Sequence, residues 1–449
     1  MKKINLFANI CIVLILIFLF MVACYLFFHG ELNRNRSIIG IFFIISFVLF
    51  SFALRFPIEW KINLLMVCGS FGISIYAIEF YLYFFKPVAN NTPSAIANIA
   101  KTFGVNNYDT RTKIQVLQDF RKNGIDAYPT VHPDMLFTTD EILWNNPNLF
   151  PLASISNKFS VLCNECGHYI SYNTDEHGFN NNKGLYRTGT QIALIGDSFT
   201  QGSCVSREDN IAGNLIKHSL NVLNFGVGGC GPLQEYAIFN EYVTFVQPKI
   251  VLWIFCEHND MDDLLNELSI PALKKYYTDN DFTQNLYVKQ DAIDSSLKNY
   301  VNKQLKQYKT PGINFVSLLK LWEIRSRMNC LNNKNPVEKE ISNEQEKVFA
   351  KILSFAKGKI AAWGGHFCFV YLPGYYGFTA KSNKSHDNIL QIIKKLKIQY
   401  LDLFEVLSRH KDPLSLFPFR LPLHYNEEGY KIISDEVARF IHSNYCFKD

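Results

Sequence analysis

The chain has 449 residues, of which 48% are hydrophobic, 15% aromatic and 19% charged, and its formal net charge is +5. This composition is too apolar for a disordered protein, and the sequence has no dense Lys/Arg run of the kind that binds nucleic acid. The length allows two or three domains. The apolar excess lies in the first 85 residues, and the remainder has the composition of an ordinary soluble domain.

Three apolar stretches near the N-terminus, residues 4–28, 38–54 and 62–85, predict three transmembrane helices. Each reaches the length of about 17 to 25 residues with which a helix crosses a bilayer. The first is longer than the apolar region of a cleaved signal peptide, which is about 7–15 residues. A buried helical hairpin is the alternative, but the sequence offers little in this region that would cover it.

Basic residues predict the orientation of these spans, because cytoplasmic loops carry more Lys and Arg. With the N-terminus in the cytoplasm, more basic residues lie on the cytoplasmic side than outside. Lys2, Lys3, Arg55 and Lys61 are cytoplasmic, whereas Arg34 and Arg36 are outside. We therefore predict a multi-pass protein of the cytoplasmic (inner) membrane, with residues 86–449 on the extracytoplasmic side. Glu79 lies near the outer end of the third span, where we expect it to reach the interface rather than to serve a function inside the bilayer.

Residues 86–190 are expected to form a polar linker and an irregular, proline-broken lead-in. Within it, we interpret the loop at 175–182 as structural, with a cover over the substrate as the alternative. Cys163 and Cys166 have the spacing of half a zinc site, but no second Cys-x-x-Cys or His pair completes it, so we predict no metal site.

From residue 191 onward, short apolar runs alternate with helical stretches. The runs lie at 192–195, 222–225, 250–255, 367–372 and 400–404. Such alternation predicts βαβ units and a parallel sheet that is covered on both faces. This alternating region, residues 191–449, is interrupted at about 262–340, which we expect to be an insertion over the sheet's C-terminal edge, where open α/β sheets bind ligands.

The residues that could carry chemistry follow these strands. Ser198, in Gly196-Asp197-Ser198, comes directly after the first strand, where a strand-to-helix turn would expose its hydroxyl beside free backbone N–H groups. The same tripeptide is also common in ordinary turns. Three further segments come at the corresponding edge, in chain order: the Gly-rich 224–229, Asn259-Asp260, and His424 just before the last helix.

In this order the four blocks resemble those of the SGNH hydrolase superfamily, the GDSL-like esterases and lipases, over about residues 190–445. The resemblance implies an α/β fold, a three-layer αβα sandwich with a parallel, flavodoxin-like sheet. It implies Ser198 as nucleophile and His424 as its base. The backbone N–H groups of Ser198 and Gly229 and the side chain of Asn259 would form the oxyanion hole. No metal or organic cofactor is implied, because this serine mechanism needs none.

Two departures from the family pattern stand out. The family usually has Asp three residues before the His, where this chain has Leu421. Either a Ser–His dyad operates, or an acid comes from elsewhere; the candidates are Asp260, Asp263, Asp402 and Glu257. In addition, Glu257-His258 precedes Asn259 where the family usually has a Gly, and His258 is a rival base. A disulfide between Cys204 and Cys230 is considered, because each follows one of the active-site loops.

The sequence thus predicts a serine esterase that hydrolyses acyl esters, best acetyl, on an extracytoplasmic glycan, cell-wall polymer or lipid. One alternative is an O-acyltransferase of envelope polysaccharide that uses the same Ser and His together with envelope-modification partners. The other is a non-catalytic envelope-assembly module, which Leu421 favours and which the presence of Ser198, Gly229, Asn259 and His424 opposes. Expected partners are the membrane and an acylated glycan or lipid, with no nucleic acid.

Overall fold

A computed structural model describes most of the chain. The described residues are 2–28, 34–85, 93–136, 149–187, 190–257, 259–309, 321–325, 327, 341–379 and 384–445. The chain divides into two compact units. One comprises residues 1–88 together with 312–334, and the other comprises residues 89–311 and 335–449.

The first unit contains three N-terminal helices, α1 (Lys2–Phe28), α2 (Arg34–Ala53) and α3 (Ile58–Phe85). In the part of the chain that the structure describes, two segments are long and apolar enough to cross a membrane, Lys2–Met21 in α1 and Ile58–Tyr83 in α3. The shorter apolar segment Ile44–Ala53 lies in α2. The prediction of spanning helices is therefore supported for two of the three stretches.

Helices α1 and α3 are joined by polar side chains. Lys61 is buried, and its ammonium donates hydrogen bonds to the side-chain oxygens of Asn9 at 2.8 Å and Asn5 at 3.3 Å. A buried ammonium without such acceptors would be strongly destabilising, so this contact fixes how α3 packs on α1.

The second unit begins with α4 (Pro93–Thr102) and α5 (Lys113–Lys122), followed by a small sheet in the region that was expected to be irregular. Its strands are β1 (Ala127–Pro129), β2 (Phe159–Val161) and β3 (Ser171–Asn173). Strand β2 lies in the middle, parallel to β1 and antiparallel to β3. The turn between β2 and β3 therefore projects from one end of this sheet, and it carries residues of the site described below.

The central sheet has five parallel strands. They are β4 (Ile192–Gly196), β5 (Val222–Asn224), β6 (Ile250–Cys256), β7 (His366–Leu372) and β8 (Gln399–Asp402), in the order β5-β4-β6-β7-β8. This arrangement confirms the predicted α/β class with a parallel sheet. The chain order reverses next to β4, and such a reversal is where open α/β sheets form a ligand crevice.

Both faces of this sheet are buried, and β6 shows how. Val251, Trp253 and Phe255 belong to one hydrophobic cluster, whereas Leu252 and Ile254 belong to the other, as the two-residue period of a strand requires.

Helices cover each face of the central sheet. On the Trp253 side lie α8 (Pro232–Ile238), α13 (Asn343–Ala362) and α14 (Lys384–Lys395). On the opposite side lie α7 (Ile211–Lys217), α15 (Leu403–Ser408) and α16 (Glu427–Asn444). The result is three layers, helix on sheet on helix.

The remaining helices connect these layers or belong to the insertion. They are α6 (Ser198–Gln201), α9 (Thr244–Val246), α10 (Asp260–Leu268), α11 (Pro271–Thr278) and α12 (Gln290–Lys309). Of the predicted insertion at 262–340, residues 262–311 and 335–340 belong to the unit of the central sheet, whereas residues 312–334 belong to the unit of the N-terminal helices.

Candidate active site

Ser198 is held at the carboxyl end of β4, where the strand turns sharply into α6. The Asp197 carboxylate accepts the Phe199 backbone N–H at 2.8 Å and so caps this short helix. Gly196 is required just before it, because a Cβ there would lie 2.1 Å from Thr200 Oγ1. The turn leaves the Ser198 side chain partly exposed at the edge of the sheet.

The structure brings His424 to this serine from the loop before α16. Its Nε2 lies 2.8 Å from Ser198 Oγ, and its ring packs on Phe199 with 4.6 Å between ring centroids. This is the geometry in which an imidazole takes the proton of a hydroxyl that attacks a substrate.

The acid that orients His424 is Glu165, which the sequence analysis did not consider. His424 Nδ1 lies 2.9 Å from Glu165 Oε1, and the His424 backbone N–H donates to Oε2, also at 2.9 Å. A carboxylate accepts hydrogen bonds only, so it favours the tautomer with the proton on Nδ1 and leaves Nε2 to accept from Ser198. Ser198, His424 and Glu165 thus form a continuous nucleophile–base–acid chain.

The expectation about the acid is corrected, because the four acids proposed from the sequence make other contacts. Asp260 accepts the Cys256 N–H at 2.7 Å, Asp263 accepts from the Asn259 amide at 2.8 Å, Asp402 contacts His386 at 2.8 Å, and Glu257 accepts the Gly374 N–H at 3.2 Å. Within the described residues, the side-chain hydrogen bonds of His424 go to Glu165 and Ser198. His258, the rival base, lies outside the described residues.

Glu165 lies on the turn between β2 and β3, and a disulfide fastens that turn to the nucleophile loop. Cys163, two positions before Glu165, is bonded to Cys204, which follows α6. The Cys166 thiol donates to the Cys204 carbonyl at 3.5 Å. The bond therefore joins the segment that carries the acid to the segment that carries the serine.

This bond also corrects the disulfide considered from the sequence. Cys204 pairs with Cys163, whereas Cys230 is a buried free thiol that donates to Gln234 Oε1 at 3.3 Å. Ligand atoms of Glu165, Cys204 and His424 lie within 4.8 Å of one another, which is close enough to hold a metal ion. The sulfur of Cys204 is already bonded to Cys163, however, so it is not available as a thiolate ligand.

The Gly-rich loop after β5 is fixed beside α6 by two side chains. Asn224 donates to the Thr200 carbonyl at 2.8 Å and accepts the Gly226 N–H at 2.8 Å. Gln201 accepts the Gly228 N–H at 3.1 Å. Gly229, at the end of this loop, has a φ of 69°, which favours glycine. Within the described residues, the backbone N–H groups of Ser198 and Gly229 make no hydrogen bond, so both remain able to hold an oxyanion.

Asn259 follows β6 at the same edge, and Asp263 controls its amide. Because Asp263 accepts from Asn259 Nδ2, the amide nitrogen rather than the oxygen faces the carboxylate. Burial raises the pKa of the neighbouring Asp197 to about 6, although the Asn259 amide acts in the opposite direction.

The loop at 175–182 supports the site by holding the end of β5. The buried Asp175 accepts the backbone N–H groups of His177 and Phe179, each at 2.9 Å, and the Asn181 amide at 2.9 Å. Asn181 in turn bonds both the N–H and the carbonyl of Asn224. This loop therefore has the structural role that was preferred for it, since it holds the end of β5.

Two further polar side chains lie against the Gly-rich loop and were missed by sequence reasoning. The His132 ring lies against Gly228, and the Asp134 carboxylate lies against Gly229, where a Cβ would come within 2.4 Å of Asp134 Cγ. Burial lowers the pKa of His132 to about 3, so the imidazole is neutral. Burial and the nearby Asp263 raise the pKa of Asp134 to about 6.

Electrostatics within the triad favour its working charge state. Burial opposes the charged form of His424, but the Glu165 carboxylate outweighs burial and, with help from Asp197, raises the pKa of His424. Burial alone would raise the pKa of Glu165, but His424 outweighs it and lowers that pKa. Glu165 is therefore ionised near neutral pH, and His424 becomes a free base only above its raised pKa.

Comparisons with known proteins give similar solved structures only. No family model matches the chain, and no curated protein matches it. A lipase/acylhydrolase from Enterococcus faecalis aligns with 58% of this chain and 99% of its own, at 13% identity and a TM-score of 0.33. A two-domain esterase active on acetylated mannans aligns with 57% of this chain and 50% of its own, at 12% identity and a TM-score of 0.33. An acetyl xylan esterase aligns with 56% of this chain and 99% of its own, at 11% identity and a TM-score of 0.32. The functional argument therefore comes from the site's geometry.

Replacing Glu165 by Gln tests its role in the triad. We expect kcat on an activated ester to fall by about 10² to 10⁴, because the imidazole loses its tautomer-fixing acceptor. The acid limb of kcat/KM should also move to lower pH, since the carboxylate that raises the His424 pKa is gone. A pH–rate profile measures both effects. Glu257→Gln is the matched control and should keep the wild-type profile; equal profiles for wild type and Glu165→Gln would remove Glu165 from the mechanism.

The Cys163–Cys204 bond gives a second prediction. The sequence separation of 41 residues implies that the double Cys→Ser variant loses about 4 kcal/mol of unfolding free energy. Under conditions where the variant is still folded, we expect kcat to fall with KM nearly unchanged, because the turn that carries Glu165 is less well held. Urea titration and steady-state kinetics measure these effects, with Cys11→Ser as control. A stable variant with wild-type kcat would show that the bond does not support the site.

Proposed function

We propose that this protein is a serine esterase that cleaves acyl esters through an acyl-enzyme on Ser198. The observation that carries the proposal is the unbroken chain of contacts from Ser198 Oγ through both nitrogens of His424 to the Glu165 carboxylate. Each member has the atom that its role needs at hydrogen-bond distance, and the serine is accessible at the edge of the sheet.

The mechanism follows from these contacts. Ser198 Oγ attacks the ester carbonyl while its proton passes to His424 Nε2, and Glu165 stabilises the imidazolium that forms. The backbone N–H groups of Ser198 and Gly229, with the Asn259 amide beside them, bind the oxygen that becomes negative. His424 then returns the proton to the leaving alcohol. A water molecule, deprotonated by the same imidazole, then attacks the acyl carbon. The bond to Ser198 Oγ breaks, His424 returns the proton to Oγ, and the free acid leaves.

For the substrate we propose an acetylated glycan on the extracytoplasmic side of the cytoplasmic membrane, with N-terminal spans as anchor. Two helices apolar enough to cross a membrane support the anchor. The Cys163–Cys204 disulfide supports the location, since such bonds persist in oxidising compartments. The Asp134 carboxylate lies beside Gly229, where it can accept hydrogen bonds from the hydroxyls of a sugar.

The two alternatives fare differently. The non-catalytic module was favoured by Leu421 in the place of the acid, and Glu165 removes that argument. An O-acyltransferase would share the acyl-enzyme and differ only in the acceptor, a sugar hydroxyl in place of water. It is therefore kept as an outcome of the test.

The test uses the full chain in detergent. Wild type should hydrolyse p-nitrophenyl acetate and react covalently with a fluorophosphonate probe at Ser198. Ser198→Ala should abolish labelling, and Ser198→Ala and His424→Ala should each lower turnover by about 10³-fold or more. Ser269→Ala and His218→Ala are the matched controls and should behave as wild type.

Two results would contradict the esterase. Labelling at Ser198 with negligible hydrolysis, but with acetyl transfer to an added oligosaccharide, would assign the chain as a transferase. If wild type shows no labelling and no turnover, the triad geometry does not support catalysis.

A further inference from the structure

Glu79 of α3 is a buried carboxyl group in the middle of exposed apolar side chains. It has 0% of its surface exposed, whereas its neighbours Ile78 and Phe80 are 53% and 50% exposed. Its Oε1 accepts the Glu323 backbone N–H at 2.9 Å, and its Oε2 accepts the Ile324 N–H at 3.0 Å. Glu79 is therefore not open to its surroundings, because Glu323 and Ile324 of the insertion cover it.

The contact satisfies groups that would otherwise be costly in an apolar setting. Glu323 and Ile324 lie in a short helical turn, and the first N–H groups of such a turn have no partner within it. In hydrocarbon each unpaired N–H is strongly destabilising. One carboxyl group satisfies two of them, and the turn in turn shields that carboxyl group from lipid.

The sequence around this turn suits the surface of a bilayer. Residues 312–334 combine apolar side chains with three basic ones near the turn, Lys320, Arg325 and Arg327. Trp322 is 50% exposed. Aromatic and basic side chains together are typical of segments that lie at the boundary between headgroups and acyl chains.

We propose that the short turn at residues 321–325 is a second membrane contact of this protein, bound to lipid at the interface and held to α3 by Glu79. The proposal assumes that α1 and α3 lie in a bilayer. Lipid is the partner because the turn belongs to the same compact unit as the exposed apolar surface of α3.

This arrangement has a consequence for the isolated catalytic unit. A chain that starts after residue 88 still contains residues 312–334, so it keeps an apolar segment that has lost its partner helix. A lipid contact would give a role to residues of the insertion that take no part in the candidate active site.

The lipid contact is tested with the full chain in vesicles of phosphatidylcholine and phosphatidylglycerol that carry brominated acyl chains. The chain has five tryptophans, so the measurement is a difference. We expect Trp322→Phe to remove a component of the fluorescence that bromine quenches. Trp363→Phe, on the other unit, is the control and should leave that component unchanged. A quenched component of equal size in wild type and Trp322→Phe would overturn the lipid contact.

The role of Glu79 is tested by trypsin, which cleaves after Lys320, Arg325 and Arg327. In the same vesicles without bromine, we expect Glu79→Ala to be cleaved at these sites at least about tenfold faster than wild type. Glu79→Gln keeps one acceptor oxygen and should lie between the two. Glu59→Ala, at the other end of α3, is the matched control and should behave as wild type.

Equal cleavage of wild type and Glu79→Ala would overturn the clamp. Thermal unfolding of the hydrolase unit, expected to be unchanged in the Glu79 and Glu59 variants, excludes general misfolding as the cause of faster cleavage. Neither quenching nor proteolysis depends on ester hydrolysis, so the failure of this proposal is distinguishable from the failure of the proposed esterase.

Discussion

The contact between Glu165 and His424 is the interaction on which the rest of the site depends. It joins two residues separated by 259 positions, and it is the point at which the lead-in meets the sheet edge. Without it the imidazole could present either nitrogen to Ser198, and its pKa would lose the carboxylate that raises it. Because Glu165 also accepts the His424 backbone N–H, the same group fixes the ring and the loop that carries it.

Other contacts serve to keep this one in place. The Cys163–Cys204 bond holds the Glu165 turn to the loop after α6, and Asn181 holds Asn224, which in turn holds the Gly-rich loop against α6. The lead-in that precedes the central sheet is therefore part of the candidate site, since it supplies Glu165 and places His132 and Asp134 beside the Gly-rich loop.

The parts of this structure that local pattern controls could be predicted from the sequence. The strands of the central sheet are short apolar runs, and Ser198 and His424 stand at the ends of recognisable elements. Glu165 could not be predicted, because nothing in its neighbourhood indicates a partner so distant in sequence. The spacing of Cys163 and Cys166 was considered only as half of a zinc site, whereas Cys163 forms a disulfide bond with Cys204. The partners of Glu79 could not be predicted for a similar reason, because they lie more than two hundred positions later.

The central claim is that Glu165 holds the Nδ1–H of His424 while Nε2 accepts from Ser198. The most direct measurement is the nitrogen-15 spectrum of the histidine side chains in the labelled protein, with His424 assigned by substitution. The account predicts a neutral His424 with its proton on Nδ1, strongly hydrogen-bonded, and with that proton signal lost in Glu165→Gln. A neutral His424 protonated on Nε2, or an Nδ1 proton that Glu165→Gln leaves unchanged, would contradict it.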